Sequence, residues 1–162
     1  MASPGAYSAP DLHGLSTQFL RIAILYTGWN SHIIDPLAAG AKATLLRFGF
    51  DDSQLDLHRV PGAFELPLAA QWSLEAGYDG VVCLGCIIRG GTPHFEYVSD
   101  AATRGILDTG LRFSRPVAFG VLTVDNEEQA LERAGGAHGN KGEEAALALL
   151  EMLQLKQHLT IS

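Results

Sequence analysis

The sequence has little positive charge and no long apolar run. Only 11 of its 162 residues are Lys or Arg, against 18 Asp or Glu, so the formal net charge is -7 at pH 7. A nucleic-acid-binding protein normally presents a basic face to the phosphates, and these scattered cations argue against that class of partner. No stretch approaches the roughly 20 apolar residues of a transmembrane helix, so we expect no membrane partner either.

Cysteine is also scarce, and both cysteines fall in the segment Cys83-Leu84-Gly85-Cys86. Redox dithiols share this spacing, but they lie at the start of a helix, whereas this pair lies in the apolar run 80–88. A strand would also send residues three apart to opposite faces. Two sulfurs without a second pair do not complete a zinc site. We therefore predict buried free thiols, which indicate a reducing compartment, the cytoplasm.

Length and composition predict one domain preceded by an arm. Hydrophobic residues make up 47% of the chain, enough for a sizeable core, and 162 residues are the size of a single domain. Residues 1–17 are rich in Ser, Ala, Gly and Pro and have neither the apolar stretch of a signal peptide nor the arginines of a transit peptide. We interpret 1–17 as a flexible N-terminal arm that orders against a neighbouring subunit, and 18–162 as the domain.

Strand-like and helix-like segments alternate along the rest of the chain. This alternation predicts an α/β fold, a three-layer α/β/α sandwich around a central four-stranded parallel sheet. Ser31 is the expected N-cap of the first helix. The predicted strands are 19–27, 55–60, 81–88 and 117–124, and the predicted helices are 31–48, 63–76, 93–113, 127–134 and 143–158.

Ligands of such sheets bind beyond the carboxyl ends of the strands, which directs attention to four loops. The loop at 89–94 has two glycines that let its backbone approach a ligand, and the amides opening the next helix favour an anion. It is neither a Walker loop nor a GxGxxG fingerprint, and a purely structural turn is an equal alternative. His94 follows directly, and because histidine is the side chain that most often transfers protons in enzymes, it is a candidate for proton transfer.

Three other features at this edge are ambiguous alone. Trp29 offers a flat ring that could stack on a heteroaromatic ligand, although large aromatics usually belong to a core. Glu65 fits either a binding loop or an exposed first-turn carboxylate. Arg133 and Lys141 suit a phosphate, but their spacing alone favours solvated charges at helix ends. Their convergence on one edge favours a binding site.

Four longer motifs resemble the lumazine synthase family of riboflavin biosynthesis over almost the whole chain after the arm. The motifs are PGAFELP at 61–67, GCIIRGGTPHFEYV at 85–98, FGVLTVDNEEQALERAGG at 119–136 and HGNKGEEAA at 138–146. The resemblance implies a flavodoxin-like fold and a transferase. That transferase joins 5-amino-6-(D-ribitylamino)uracil to 3,4-dihydroxy-2-butanone 4-phosphate, releasing phosphate and water and giving 6,7-dimethyl-8-ribityllumazine. No cofactor or metal is required.

The resemblance also implies a role for each matching residue. Trp29, next to Asn30, takes the position that stacks on the pyrimidine, where many family members have phenylalanine. His94 matches the proton donor. The resemblance implies that Ala63, Phe64 and Glu65 line the ribityl side and that Cys86, Ile87 and Ile88 hold the uracil edge. It implies that Gly91, Thr92 and Arg133 bind the phosphate, with help from Lys141. Phe119 matches a pocket wall that the adjacent subunit supplies.

Family members assemble as homopentamers with shared active sites. This chain has no insertion between its last two helices, which leaves a decamer or an icosahedral shell sterically open. The resemblance also implies a functional link to riboflavin synthase, and Trp29 leads to the hypothesis that riboflavin or FMN binds as a product-like ligand. The alternatives are a non-catalytic flavin-binding protein, a shell protein without turnover and a generic flavodoxin-like phosphate binder.

Overall fold

A four-stranded parallel sheet forms the middle layer of the molecule, as predicted. The computed structural model describes residues 8–160. The strands are β1 (Ile22–Thr27), β2 (Leu55–Val60), β3 (Gly80–Ile88) and β4 (Val117–Val124). They run side by side in the order β2-β1-β3-β4.

Helices cover both faces of this sheet. Along β1 the side chains alternate, so that Ile22 and Ile24 join the core on one face while Ala23 and Leu25 join the core on the other. The helices are α1 (Ser31–Arg47), α2 (Leu66–Glu75), α3 (His94–Phe113), α4 (Glu127–Glu132) and α5 (Lys141–Thr160). The first face is covered by α1 and α5, and the second by α2 and α3. This flavodoxin-like arrangement confirms the predicted fold.

The first helix begins differently from the prediction. Ser31 is its first helical residue, and Asn30 is the N-cap, with φ 56° and ψ 56°. The carbonyl of Asn30 accepts the backbone N–H groups of Ile33 and Ile34. Asparagine tolerates this left-handed conformation better than most residues, which explains why the cap falls one residue earlier.

The second predicted helix is split in two. Ala63–Glu65 form a short 3-10 turn, and α2 begins only at Leu66. Pro67 lies in the first turn of α2, where a residue without an N–H group costs no hydrogen bond. The prediction of one continuous helix from 63 is therefore wrong at this end.

A small two-stranded sheet, which the sequence pattern does not predict, lies between the last two helices. The strands β5 (Ala134–Gly136) and β6 (Gly139–Asn140) pair antiparallel. Helix α4 therefore ends at Glu132 instead of 134, because Gly135 takes a φ of 102° that a helix cannot accommodate. Asn140 caps α5 by accepting the amides of Gly142 and Glu143 at 2.8 and 3.2 Å, which moves its start to Lys141.

The last residues of the predicted arm lie against the body of their own chain. Ser16 exchanges two hydrogen bonds with Gln157, at 3.0 and 2.8 Å. Leu12 and Leu15 pack against the core on the face covered by α1 and α5. Residues 1–7 of the arm lie outside the described part of the chain, as do residues 161–162.

Across residues 8–160, no helix combines the length and the apolar character that crossing a bilayer requires.

Candidate active site

A pocket of about 560 Å³ opens at the carboxyl ends of the first three strands. The loops after β1 and β2, the end of β3 and the start of α3 form its walls. Because the carboxyl ends of parallel strands meet at one edge of the sheet, these segments lie together although they are remote in sequence. Nine of the predicted site residues line it: Trp29, Asn30, Ala63, Phe64, Glu65, Cys86, Ile87, Ile88 and His94.

Trp29 stands at the mouth of this pocket with its side chain largely free. The residue is 72% exposed, far more than a core tryptophan would be. A β-carbon built on Gly62 would lie 3.6 Å from Cδ1 of the indole and 3.4 Å from Oε2 of Glu65. Both groups therefore lie within ordinary van der Waals distance of the same turn. The exposed ring is available to stack on a flat ligand.

The turn after β2 presents both peptide groups and side chains to the pocket. Ala63 is buried, whereas Phe64 is 62% exposed. The Glu65 N–H donates to the Gly62 carbonyl at 3.2 Å, which closes the turn. Sequence reasoning did not assign Thr27, Gly62 and Val98, which also line the pocket. Gly62 and Thr27 adjoin assigned loops, and Val98 lies one helical turn beyond His94, so spacing alone could have found them.

His94 is the first residue of α3 and contributes to the pocket wall. Its imidazole is exposed and has no hydrogen bond or ion pair to any other residue within 8–160. Both ring nitrogens are therefore available to bind a ligand. This geometry suits a group that exchanges protons with bound substrate.

The two cysteines lie on opposite faces of β3, as the period of a strand predicts. Cys83 belongs to the core covered by α2 and α3, whereas Cys86 packs against the other core and borders the pocket. Both thiols are free. Burial raises the pKa of Cys83 to about 12, and burial together with the nearby charge of Glu127 raises the pKa of Cys86 to about 11. Neither side chain is a thiolate at neutral pH.

We expect both thiols to resist alkylation in the folded protein. Both pKa values lie about three or more units above pH 8, so very little of either thiol is a thiolate at that pH. Because the thiolate is the form that reacts, iodoacetamide should label neither Cys83 nor Cys86 appreciably. Labelling should become complete once the chain is unfolded in guanidinium. Mass spectrometry of the two samples measures this directly, and rapid labelling of the folded protein would contradict it.

The predicted phosphate cations are not in the pocket of a single chain. Nη1 of Arg133 donates to the Gln129 carbonyl at 2.9 Å and lies 3.5 Å from Oε2 of Glu132. Nζ of Lys141 lies 3.8 Å from Oε2 of Glu144. Both cations flank the small β5–β6 sheet, at the ends of α4 and α5.

Gly91, Thr92 and Phe119 also lie outside the pocket wall. The first two are exposed in the loop before α3. Phe119 lies on β4, where it pairs with Cys83 of β3, and β4 continues to Val124 before it reaches its carboxyl end. It borders a different cavity, an apolar groove of about 650 Å³ between α3 and α5.

The motifs that form the pocket match one protein family. The family model described as 6,7-dimethyl-8-ribityllumazine synthase matches residues 19–157. The chain belongs to this family. A protein of that name from Helicobacter pylori is 56% identical over 140 residues, covering 86% of this chain and 90% of the relative. One from Cytophaga hutchinsonii is 50% identical over 144 residues, covering 88% of this chain and 89% of the relative.

Membership of the lumazine synthase family makes this chain an enzyme of riboflavin biosynthesis. A third relative of the same name, from Campylobacter curvus, is 50% identical over 140 residues, covering 86% of this chain and 90% of the relative. All the predicted site residues fall within the matched segment 19–157, including those that a single chain leaves outside the pocket. The resemblance drawn from the four motifs is therefore confirmed at the level of the family.

Proposed function

We propose that this chain condenses 5-amino-6-(D-ribitylamino)uracil with 3,4-dihydroxy-2-butanone 4-phosphate to give 6,7-dimethyl-8-ribityllumazine, phosphate and water. The observation that carries the proposal is the convergence of the nine residues on one pocket of about 560 Å³. Trp29 stacks on the pyrimidine ring, and Asn30 borders the same side. Peptide groups of residues 63–65 bind the ribityl chain, with the Glu65 carboxylate beside them. Peptide groups of residues 86–88 hold the uracil edge.

His94 moves the protons in this proposal. The amine must add to the ketone and lose water, phosphate must leave, and a second nitrogen must close the ring. Each step gains or loses a proton, which suits an unpaired imidazole on the pocket wall. No covalent nucleophile is needed, in keeping with the protonated thiols. Holding the two reactants together supplies most of the acceleration.

The phosphate end of the site is completed by an adjacent subunit. Gly91 and Thr92 approach the phosphate from the loop before α3, while Arg133 and Lys141 supply positive charge and Phe119 supplies an apolar wall. All five residues lie outside the pocket wall of one chain. Gly91 and Thr92 directly precede His94 of the same pocket, so we assign only Arg133, Lys141 and Phe119 to the site of a neighbour in a homopentamer. The groove between α3 and α5 supports such an interface, because its apolar residues Leu107, Leu111, Met152 and Leu159 are 52–75% exposed.

Two further proposals concern assembly and location. Further association of pentamers into a decamer or an icosahedral shell is sterically open, since the connection between α4 and α5 is only the short β5–β6 hairpin. The product then passes to riboflavin synthase. A cytoplasmic location is supported by the two free cysteines.

Replacing His94 by alanine tests the role of this residue. We expect kcat to fall by about a hundredfold while catalysis stays above the uncatalysed reaction, because the two substrates are still held together. Lumazine absorbance in the presence of both substrates measures the initial rate. The control is His13→Ala, which removes an exposed histidine outside the pocket. An unchanged rate would contradict proton transfer by His94, and complete loss with intact substrate binding would contradict the dominant role of proximity.

We also propose that the pocket holds riboflavin or FMN as a product-like ligand. The exposed indole of Trp29 offers a large stacking surface for a flavin ring, worth on the order of 1 kcal/mol. Titration with riboflavin should quench tryptophan fluorescence, and the affinity should fall about fivefold in Trp29→Phe. Trp72, the second tryptophan of the chain, lies on α2 outside the pocket, so Trp72→Phe is the control. Equal affinities in the two variants would contradict the proposal.

A further inference from the structure

The loop that leads to His94 is not held by packing at its two glycines. Gly90 and Gly91 are exposed, and a β-carbon built on either would meet no atom within 4 Å. Glycines also have more backbone freedom than any other residue. The conformation of the loop, and with it the position of the first turn of α3, must therefore be set by the residues at its two ends.

Arg89, which begins this loop, contacts two other segments, the end of β4 and the first turn of α3. Its backbone N–H donates to the Val124 carbonyl at 2.9 Å, which extends the pairing of β3 with β4. Nε of its guanidinium donates to Oδ1 of Asp125 at 2.9 Å. Nη1 forms an ion pair with Glu96, and the guanidinium carbon lies 4.2 Å from the centre of the Phe95 ring. One planar group thus joins the end of β4 to the first turn of α3.

The charges around Arg89 argue against a direct role in binding phosphate. Its guanidinium faces two carboxylates, those of Asp125 and Glu96, so the cluster carries a net negative charge. An anion would be repelled there. The hydrogen bond to Asp125, and after it the hydrogen bond to Glu96, raise the pKa of Arg89. The hydrogen bond from Arg89 lowers the pKa of Glu96. The guanidinium and the Glu96 carboxylate therefore remain charged at neutral pH.

We propose that Arg89 is a positioning residue, which clamps the first turn of α3 to the end of β4 and thereby fixes His94 and the Gly91–Thr92 peptide relative to bound substrate. This inference rests on the proposed function. Arginine suits the task because its rigid fork binds two carboxylates at once and its face stacks on an aromatic ring. Residues 89, 96 and 125 belong to three separate segments and follow no shared helix or strand period, so the sequence does not predict this cluster.

Steady-state kinetics of a double-mutant cycle tests the clamp. Arg89→Gln should lower kcat by about tenfold to a hundredfold, because small displacements of reacting groups are costly. It should also raise KM for the phosphorylated substrate, while the affinity for the pyrimidine substrate, measured by tryptophan fluorescence, stays unchanged. Glu96→Gln should have part of this effect. The double variant should be no worse than Arg89→Gln alone, since both changes break the same contact.

The control is Arg104→Gln, which removes an exposed ion pair with Asp100 on the same helix and leaves the clamp intact. It should match the wild-type kinetics. Arg89→Lys should restore part of the lost activity, because one carboxylate can still be paired. Additive losses in the double variant, or an equal loss of affinity for both substrates, would overturn the inference.

Amide hydrogen exchange separates this inference from the proposed function, since it needs no turnover. We expect the amides of residues 90–97 to exchange about tenfold faster in Arg89→Gln than in Arg104→Gln. Unchanged exchange in that segment would overturn the clamp even if the wild-type protein is active. If the wild-type protein forms no lumazine but Arg89→Gln still speeds amide exchange in residues 90–97, the proposed function is overturned and the clamp is not.

Discussion

Leu111→Asp is expected to leave the chain monomeric and to lower turnover by at least about a hundredfold. Leu111 lies on α3, is 69% exposed and borders the apolar groove that also contains Phe119. A carboxylate there would lose its water on association, a cost of several kcal/mol per interface. In the proposed site Arg133, Lys141 and Phe119 come from a neighbour, so we expect the monomer to retain His94 without the phosphate site.

Light scattering combined with the initial rate of lumazine formation measures both effects in one sample. Leu46→Asp is the matched control, because Leu46 is a partly exposed leucine on α1, outside the groove. It should remain oligomeric and active. A monomeric Leu111→Asp with full activity would show that one chain holds the complete site, and an unchanged oligomer would show that the groove is not the interface.

Gly142→Ala should destabilise the fold by about 3 kcal/mol or more, or prevent it. A β-carbon at Gly142 would overlap the carbonyl oxygen of Leu37 and lie 2.7 Å from the carbonyl carbon. This contact is with the backbone of α1, which cannot rotate away as a side chain can. Helix α5 would have to move off α1, and both helices contribute to the larger core cluster of the described residues.

Urea unfolding at one fixed protein concentration measures this change, since association contributes to the stability of an oligomer. Gly90→Ala is the control for stability, because a β-carbon there meets nothing within 4 Å. A midpoint for Gly142→Ala equal to that of Gly90→Ala would contradict the close packing of α1 and α5.

The strands and the layer order were predictable because burial leaves a strong pattern. All nine residues of β3 are apolar or glycine and seven are buried, which is typical of a parallel strand covered on both faces. The ends of helices were less predictable. Whether Asn30 or Ser31 caps α1 depends on a single left-handed backbone conformation, and the start of α5 depends on the Asn140 side chain. Neither leaves a periodic signal.

The pocket was predictable to the extent that strand ends determine it. The rule that ligands bind beyond the carboxyl ends of strands places Trp29, Glu65 and His94 together, and they do line one cavity. The rule makes no prediction for Phe119, which lies in the middle of a strand. The expected role of Phe119 came from the family resemblance. The clamp at Arg89 was not predictable because its partners are set by the fold of the loop, at positions 7 and 36 residues away.

The most direct measurement of the central claim is product formation by the wild-type protein. Both substrates are mixed with the folded, oligomeric protein, and lumazine absorbance and phosphate release are followed together, with reactions lacking either substrate as blanks. We predict lumazine formation well above the uncatalysed rate, with one phosphate released per lumazine formed. No acceleration over the uncatalysed reaction would contradict the account and favour a flavin-binding or shell protein on the same scaffold.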